Sequence, residues 1–384
     1  MTNSQLQLLA LVKLAIHPHD EIEDVLSNCA IDWNEVFEES IKQSMAGIAF
    51  AGLKILCSSK ADRVNPIEKK LLTKWFGVVE KIKQDNLLLN KRTSQVCHNI
   101  NQDGFRVCVM KGQGNALLYG EELSLLRSSG DIDVWVKGGF HRVYDYVRKI
   151  SPPTRVNELE MDFNVFSDAE VEVHYRPLIL RHPFRNRKLQ EFFNKRAGAC
   201  FNHHVSLQTY NKDGEVKILD AIVTTLSFNL VHQLAHIHLH LFTEGVGLRQ
   251  VMDYYYLLVH AETELSQTEK DEVKSIVHSI NLEKLAKALT WIHSEYLGLE
   301  KKCQLWEPNK DDGEFLIEEI MQTGNFGNGD DRHPKDYSIG GIQSFIYVQQ
   351  RNFRLSRFDK TDWFWGPLWR IYHYIWRKLH KYDK

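Results

Sequence analysis

No stretch of about 18 consecutive apolar residues occurs in the 384-residue sequence, which excludes a membrane-spanning helix. The six cysteines, at 29, 57, 97, 108, 200 and 303, contain no CxxC pair and no Cys/His zinc spacing. They read as reduced thiols of a cytosolic protein, not as a disulfide framework or a zinc module. Charge of one sign is also missing. With 48 Lys and Arg against 50 Asp and Glu, no overall positive field draws nucleic acid, and any such partner needs a local patch. No biased tract points to disorder, and the hydrophobic and charged fractions, 43% and 26%, are globular. The opening MTNSQLQLLALVKLAIHPHDE has a short apolar stretch interrupted by Lys13 and no small-residue cleavage pattern. A helix is expected there, not a signal peptide.

At this length two or three packed units are expected. Residues 1–100 carry helical periodicity, seen in the stripe Leu6, Leu9, Val12 and Ile16. Asp32 is placed to cap the helix beginning WNEVFEES, Pro66 to open a long helix ending near Ile100, and SSKADRVN to form the loop between them. From Phe105 the pattern changes. RVCVM between Gly104 and Gly112 reads as a buried strand, DIDVWV at 131–136 as a second, and FHRVYDYVRKI as a helix stopped by Pro152 and Pro153. ELEMDFNVF and VEVHYRPL flank Ser167-Asp168 as a hairpin. Helical periodicity returns beyond about Arg187, before a Gly- and Asp-rich loop at 324–332. The expected fold is α+β, a small mixed sheet in a core spanning 101–186. It is flanked by helices at 1–100 and 187–323, with a loop and an aromatic-basic segment at 324–384.

Asp131 and Asp133, two apart on a strand, leave the same face while Ile132 and Val134 turn inward. Two hard oxygen ligands with a third on a neighbouring strand is the arrangement that holds Mg²⁺ or Mn²⁺ against a nucleoside triphosphate. Glu172, apolar-flanked in Val171-Glu172-Val173, is the natural third; it can bind an ion or accept the nucleophile's proton. A DxD on a strand edge is common without any such role. Here it is preceded by Val109-Met110-Lys111-Gly112-Gln113-Gly114, a strand running into a glycine turn and a helix whose amides can bind phosphate.

The order of that KG turn, Arg127-Ser128-Ser129-Gly130-Asp131-Ile132-Asp133-Val134, and Val171-Glu172-Val173-His174-Tyr175-Arg176-Pro177 resembles the nucleotidyltransferase superfamily typified by DNA polymerase beta. More narrowly it looks like the bacterial group of uncharacterised nucleotidyltransferases. The resemblance is strong over about 105–180 and looser in the flanking helices. It implies Asp131, Asp133 and Glu172 as catalytic and metal-binding carboxylates, with Gly112 at the triphosphate turn. Better-characterised relatives carry Gly-Ser or Gly-Gly at the turn, where this chain has Gly112-Gln113.

Around these residues, Lys111 and Arg127 are placed to neutralise phosphate or to pair with a carboxylate. Ser129 is placed to contact nucleotide or to shape the turn, as is Ser128. His174 shares the face of Glu172, and Arg176 opens a basic stretch that continues through Arg181, Arg185, Arg187 and Lys188. His232, His236 and His240 recur at i, i+4 spacing on an apolar helix, which reads as a packed or cleft-lining helix before a zinc site. Arg249 and Asp253 read as a helix pair. The expected activity moves a nucleoside monophosphate from a nucleoside triphosphate to an unidentified small-molecule or polymer acceptor, with nucleic acid disfavoured. A nucleotide-sensing or partner-binding protein with little turnover is the alternative. At the C-terminus, Leu368, Ile371, Tyr372, Ile375 and Leu379 form an apolar face among basic residues. It is expected to pack on the protein's own body, ahead of a protein partner or a membrane interface.

Overall fold

A computed structural model of the chain describes residues 1–27, 30–60, 65–210, 215–327, 329–330, 332 and 342–380. Residues 61–64 of the expected SSKADRVN loop, Asn328 and Asp331 of the Gly- and Asp-rich loop, Cys29 and Lys381 lie outside the described residues.

The N-terminal stripe forms the helix Asn3–Ile16, opened by a capping box in which Thr2 and Gln5 satisfy each other's backbone N–H groups. Asp32 caps Trp33–Lys42, its side chain accepting from the Asn34 and Glu35 amides. The long helix runs Lys69–Gln102. Pro66 therefore lies ahead of it and not in its first turn, because Glu68 still has an extended backbone. Trp75 near its start is fully buried against Phe37 and Phe50 and donates its indole N–H to the Ala46 carbonyl at 2.9 Å.

The sheet has four strands in the order β1 (Val107–Val109), β2 (Ile132–Val136), β4 (Val171–His174) and β3 (Glu160–Asp162). β2 and β4 are parallel, and β1 and β3 run antiparallel on the outside. Period-two alternation divides it. Val134, Val136, Val171, Val173 and Met161 pack with Val96 and Ile100 of the long helix and Val143 and Val147 of the helix Gly139–Ile150. The opposite face carries the carboxylates.

The helices before and after the sheet share one hydrophobic core. Leu8, Leu11 and Val36 belong to the same cluster as Leu234, Leu257, Leu289 and Ile320. Between the helix Pro183–Cys200 and the next comes a hairpin the periodicity did not announce, β5 (His204–Tyr210) with β6 (Val216–Ile222). It is joined to β1 by a Val109–Val223 bridge. The helices Leu226–Thr243 and Leu248–Glu264 then cross over the carboxylate face. Arg351, in the helix Ile342–Arg354, is fully buried and donates to the carbonyls of Leu241, Thr243 and Glu244, at the end of Leu226–Thr243 where orphan acceptors and the helix dipole favour a cation. The chain closes with the helix Asp362–His380. Among the described residues no helix is long and apolar enough to cross a membrane.

Candidate active site

The parallel register of β2 and β4 sets Asp133 beside Glu172 and Trp135 beside His174, while antiparallel β3 sets Glu160 beside His174. Carboxylates from three strands and one imidazole therefore share a face. Donor atoms of Asp133, Glu172 and His174 lie within 4.8 Å of one another. Asp131, one step before β2 on the same face, lines the same cavity but lies outside that group. The cavity measures about 390 Å³, within the range of small-ligand pockets. Its far wall is His236, His240, Arg249 and Asp253 of the two crossing helices.

Cations hold this acid cluster together. Lys111 Nζ donates to Asp133 Oδ1 at 2.8 Å, and His174 Nε2 lies 2.8 Å from the same oxygen and 3.3 Å from Glu160. Lys111 reaches there from a backbone with φ of +49°, which lysine rarely adopts and which costs about 1–3 kcal/mol. Burial disfavours the charge on Asp133, but Lys111 and His174 outweigh it and hold this carboxyl well below the carboxylate range. The neighbouring charge of Asp133, then burial, raise Asp131. Burial, followed by the charges of Glu160, Asp133 and Asp131, pushes Glu172 up from its ordinary 4.5 to about 7. Arg155 pairs with Glu172 at the rim. For His174 burial opposes protonation, but Glu160 and Asp133 raise the ring above its usual value.

The approach to Asp131 is fixed from three directions. Arg127, only 4% exposed, donates Nε and Nη2 to the two oxygens of Asp253 at 2.7 Å each, and Tyr119 donates to the same carboxylate. Asn86 of the long helix donates to the Leu125 and Arg127 carbonyls, and Arg249 to that of Ser128. At Gly47, in the helix Ala46–Lys60, a Cβ would collide with the Leu126 carbonyl oxygen, so only glycine lets this helix come so close. Asp253 thus pairs with Arg127 and not with Arg249, its expected partner on the same helix.

Several expected residues are placed elsewhere. Gln113 is buried outside the cavity, its amide nitrogen donating to Asn90 and to the Asn86 carbonyl, so only Lys111 and Gly112 of the turn reach the site. Ser129 accepts from Arg127 Nη1 at 2.9 Å and steadies the turn. Arg176 is exposed beside Tyr175, because β4 ends at His174 and the alternation that would have turned it inward ends there too. Arg181 and Arg185 pair with Asp362 and Asp359. His232 is tied to the Pro177 carbonyl at 3.2 Å, while His236 and His240 meet through their Nε2 atoms at 2.9 Å inside the cavity.

The periodicity missed Glu160, although its alternation in ELEMD, read against VEVH in a hairpin register, would have found it. It also missed Arg155 and Phe326. Phe326 has a positive φ, stands at the cavity with Arg249 5.8 Å from its ring, and has no signal in sequence.

A divalent cation fits the donor set. Asp133, Glu172 and His174 converge, and crowding of like charge together with burial forces Asp131 and Glu172 towards protonation, which a bound cation would relieve. Glu172 must lose its proton to ligate, so Mn²⁺ affinity is expected to climb as pH rises through about 7, with a proton released on binding. In the metal-free protein the sign is opposite. The raised carboxyl contributes stability below about pH 4.5 that is lost as pH rises through about 7. Calorimetric Mn²⁺ titration at pH 6 and pH 8 should show affinities differing by roughly tenfold, a gap that Glu172→Gln narrows. Equal affinities at the two pH values would remove Glu172 from the ligand set.

A small mixed sheet carrying clustered carboxylates beneath crossing helices makes this an α+β protein of the nucleotidyltransferase type. The family model of the uncharacterised nucleotidyltransferases matches residues 30–298, and the chain belongs to that family. The crystal structure of an antigenic nucleotidyltransferase-like protein from Paracoccidioides brasiliensis aligns at 11% identity and a TM-score of 0.31. That alignment covers 59% of this chain and 95% of that one. No curated protein matches the chain in sequence.

Proposed function

We propose that this protein is a divalent-metal-dependent nucleotidyltransferase that moves a nucleoside monophosphate from a nucleoside triphosphate to an acceptor hydroxyl and releases pyrophosphate. The observation that carries the reading is the register placing Asp133 beside Glu172, with Asp131 on the same face, in a cavity entered by the Lys111-Gly112 turn. Asp133, with Asp131 beside it and Glu172 and His174 across from it, would hold Mg²⁺ or Mn²⁺. The ion, when bound, would neutralise triphosphate oxygens and favour displacement at the α-phosphorus.

The chain's own groups do the rest. Lys111, now on Asp133, is within reach of a phosphate presented at the Gly112 turn. Glu172, where it is not itself a ligand of the ion, is placed in the same cavity to accept the acceptor hydroxyl's proton as the new P–O bond forms and the bond to the β-phosphate oxygen breaks. Arg127 acts at one remove, since its fork on Asp253 holds the turn leading into Asp131.

A second reading has its own observation. Asp133 is already neutralised by Lys111 and His174, and Gln113 faces away from the cavity, as suits a nucleotide sensor with little turnover. Titration with each nucleoside triphosphate in Mg²⁺ or Mn²⁺, coupled to pyrophosphate detection, separates the two. Metal-dependent binding with pyrophosphate release is the expected result; binding without release favours the sensor, and no binding at all removes both.

A further inference from the structure

The C-terminal helix Asp362–His380 presents three faces. One holds it to the body. Arg181 donates to Asp362 at 2.5 Å, Trp365 lies 5.0 Å from the His182 ring, His373 Nδ1 is 2.5 Å from Glu158, and Trp376 meets Phe140 edge-on at 5.4 Å. About 120° round the axis, by helical geometry, lies a second face of Phe364, Leu368, Ile371, Tyr372, Ile375 and Leu379. Their exposures run from 42% at Leu368 to 74% at Leu379. The apolar residues expected from their spacing to pack inward are therefore the ones left bare, and Trp365, Trp376 and His373 make internal contacts instead. The third face carries Trp363, Arg370, Tyr374, Arg377 and Lys378.

We propose that this helix is a membrane-surface anchor that lays its bare stripe into the interface of an anionic bilayer. Exposed aliphatic side chains alone would suit a protein groove equally well. The flank selects lipid: the third face carries Arg370, Arg377 and Lys378, in a chain whose net charge is −2. Basic residues bordered by tryptophan and tyrosine are what headgroup-level seating on an anionic bilayer needs. The stripe from Phe364 to Leu379 is roughly 22 Å long at the helical rise, one flat face and not a cleft.

The aromatic surface also continues off the helix. Phe184, 72% exposed, lies 6.0 Å from His182, which touches Trp365, and Phe364 is 5.3 Å from Trp365. Because the helix is already folded and pinned at both ends of its packed face, seating it costs little ordering entropy. The attachment is peripheral, independent of the reaction proposed above.

Flotation of the full chain with phosphatidylcholine vesicles, with and without about 30% phosphatidylglycerol, tests it. Binding to the anionic vesicles is expected, at least about tenfold weaker to neutral ones and weakened again by salt near 0.5 M. Ile371→Asp with Ile375→Asp should abolish flotation while leaving the melting temperature unchanged, since both side chains are about half exposed. Wild-type protein that stays unbound, or that binds neutral and anionic vesicles equally, overturns the proposal. So does a concentration-dependent dimer, seen by light scattering and dissolved by the same double substitution, that never floats; the stripe would then be a contact between copies of this chain.

Discussion

Asp133→Asn is expected to lower metal-dependent nucleotidyl transfer by at least about 10²-fold, the scale of losing one preorganised electrostatic group. Asparagine keeps the shape and removes the charge. It also unbalances Lys111 and His174, which both use the lost oxygen, so the variant should be less stable by roughly 1–3 kcal/mol, the cost of a buried donor left poorly satisfied. Adding Lys111→Met should recover much of that stability without restoring transfer, because the uncompensated ammonium goes while the metal ligand stays missing. Denaturant melts and pyrophosphate release on the single and double variants check both halves. Wild-type turnover in Asp133→Asn would sink the assignment of the site.

The second large effect is expected at Arg127. Its fork is buried on Asp253, and removing one partner of such a pair leaves an uncompensated charge, costing about 3–5 kcal/mol. Arg127→Ala should lose that much, and Arg127→Ala with Asp253→Ala considerably less than the sum of the two single changes. Lysine is a poor substitute, since an ammonium cannot meet both carboxylate oxygens in the fork geometry. Should Arg127→Ala cost under about 1 kcal/mol while nucleotide affinity collapses, the guanidinium belongs to the phosphates, as its place before Asp131 first indicated.

The two expectations differ in how far a linear pattern reaches. Asp131, Asp133 and Glu172 were legible because strand alternation is a local rule: residues two apart share a face, and an apolar-flanked carboxylate on a strand stands out. The Glu160 neighbour needed only a hairpin register. The β5–β6 hairpin had a local signal as well, Asp213-Gly214 between alternating runs. It was lost among the helical patterns around it, and those two residues lie outside the described ones.

Partnerships across long separations were not legible. Arg127 and Asp253 are 126 residues apart and Gln113 and Asn90 occupy different helices, so no spacing rule ties either pair together. Arg176 shows where the local rule stops, since alternation holds only while the strand does, and β4 ends two residues earlier.

By itself the sequence determined the mixed sheet, the carboxylate face and the helical flanks, since all three follow from periodicities of two and 3.6 residues that the backbone imposes on its own side chains. Only the tertiary structure decided which cation meets which carboxylate, how far Glu172 is pushed towards protonation, and which side of the C-terminal helix is covered. Those depend on burial and on charges brought together from distant parts of the chain, and desolvation and Coulomb energy act through space, not along the sequence.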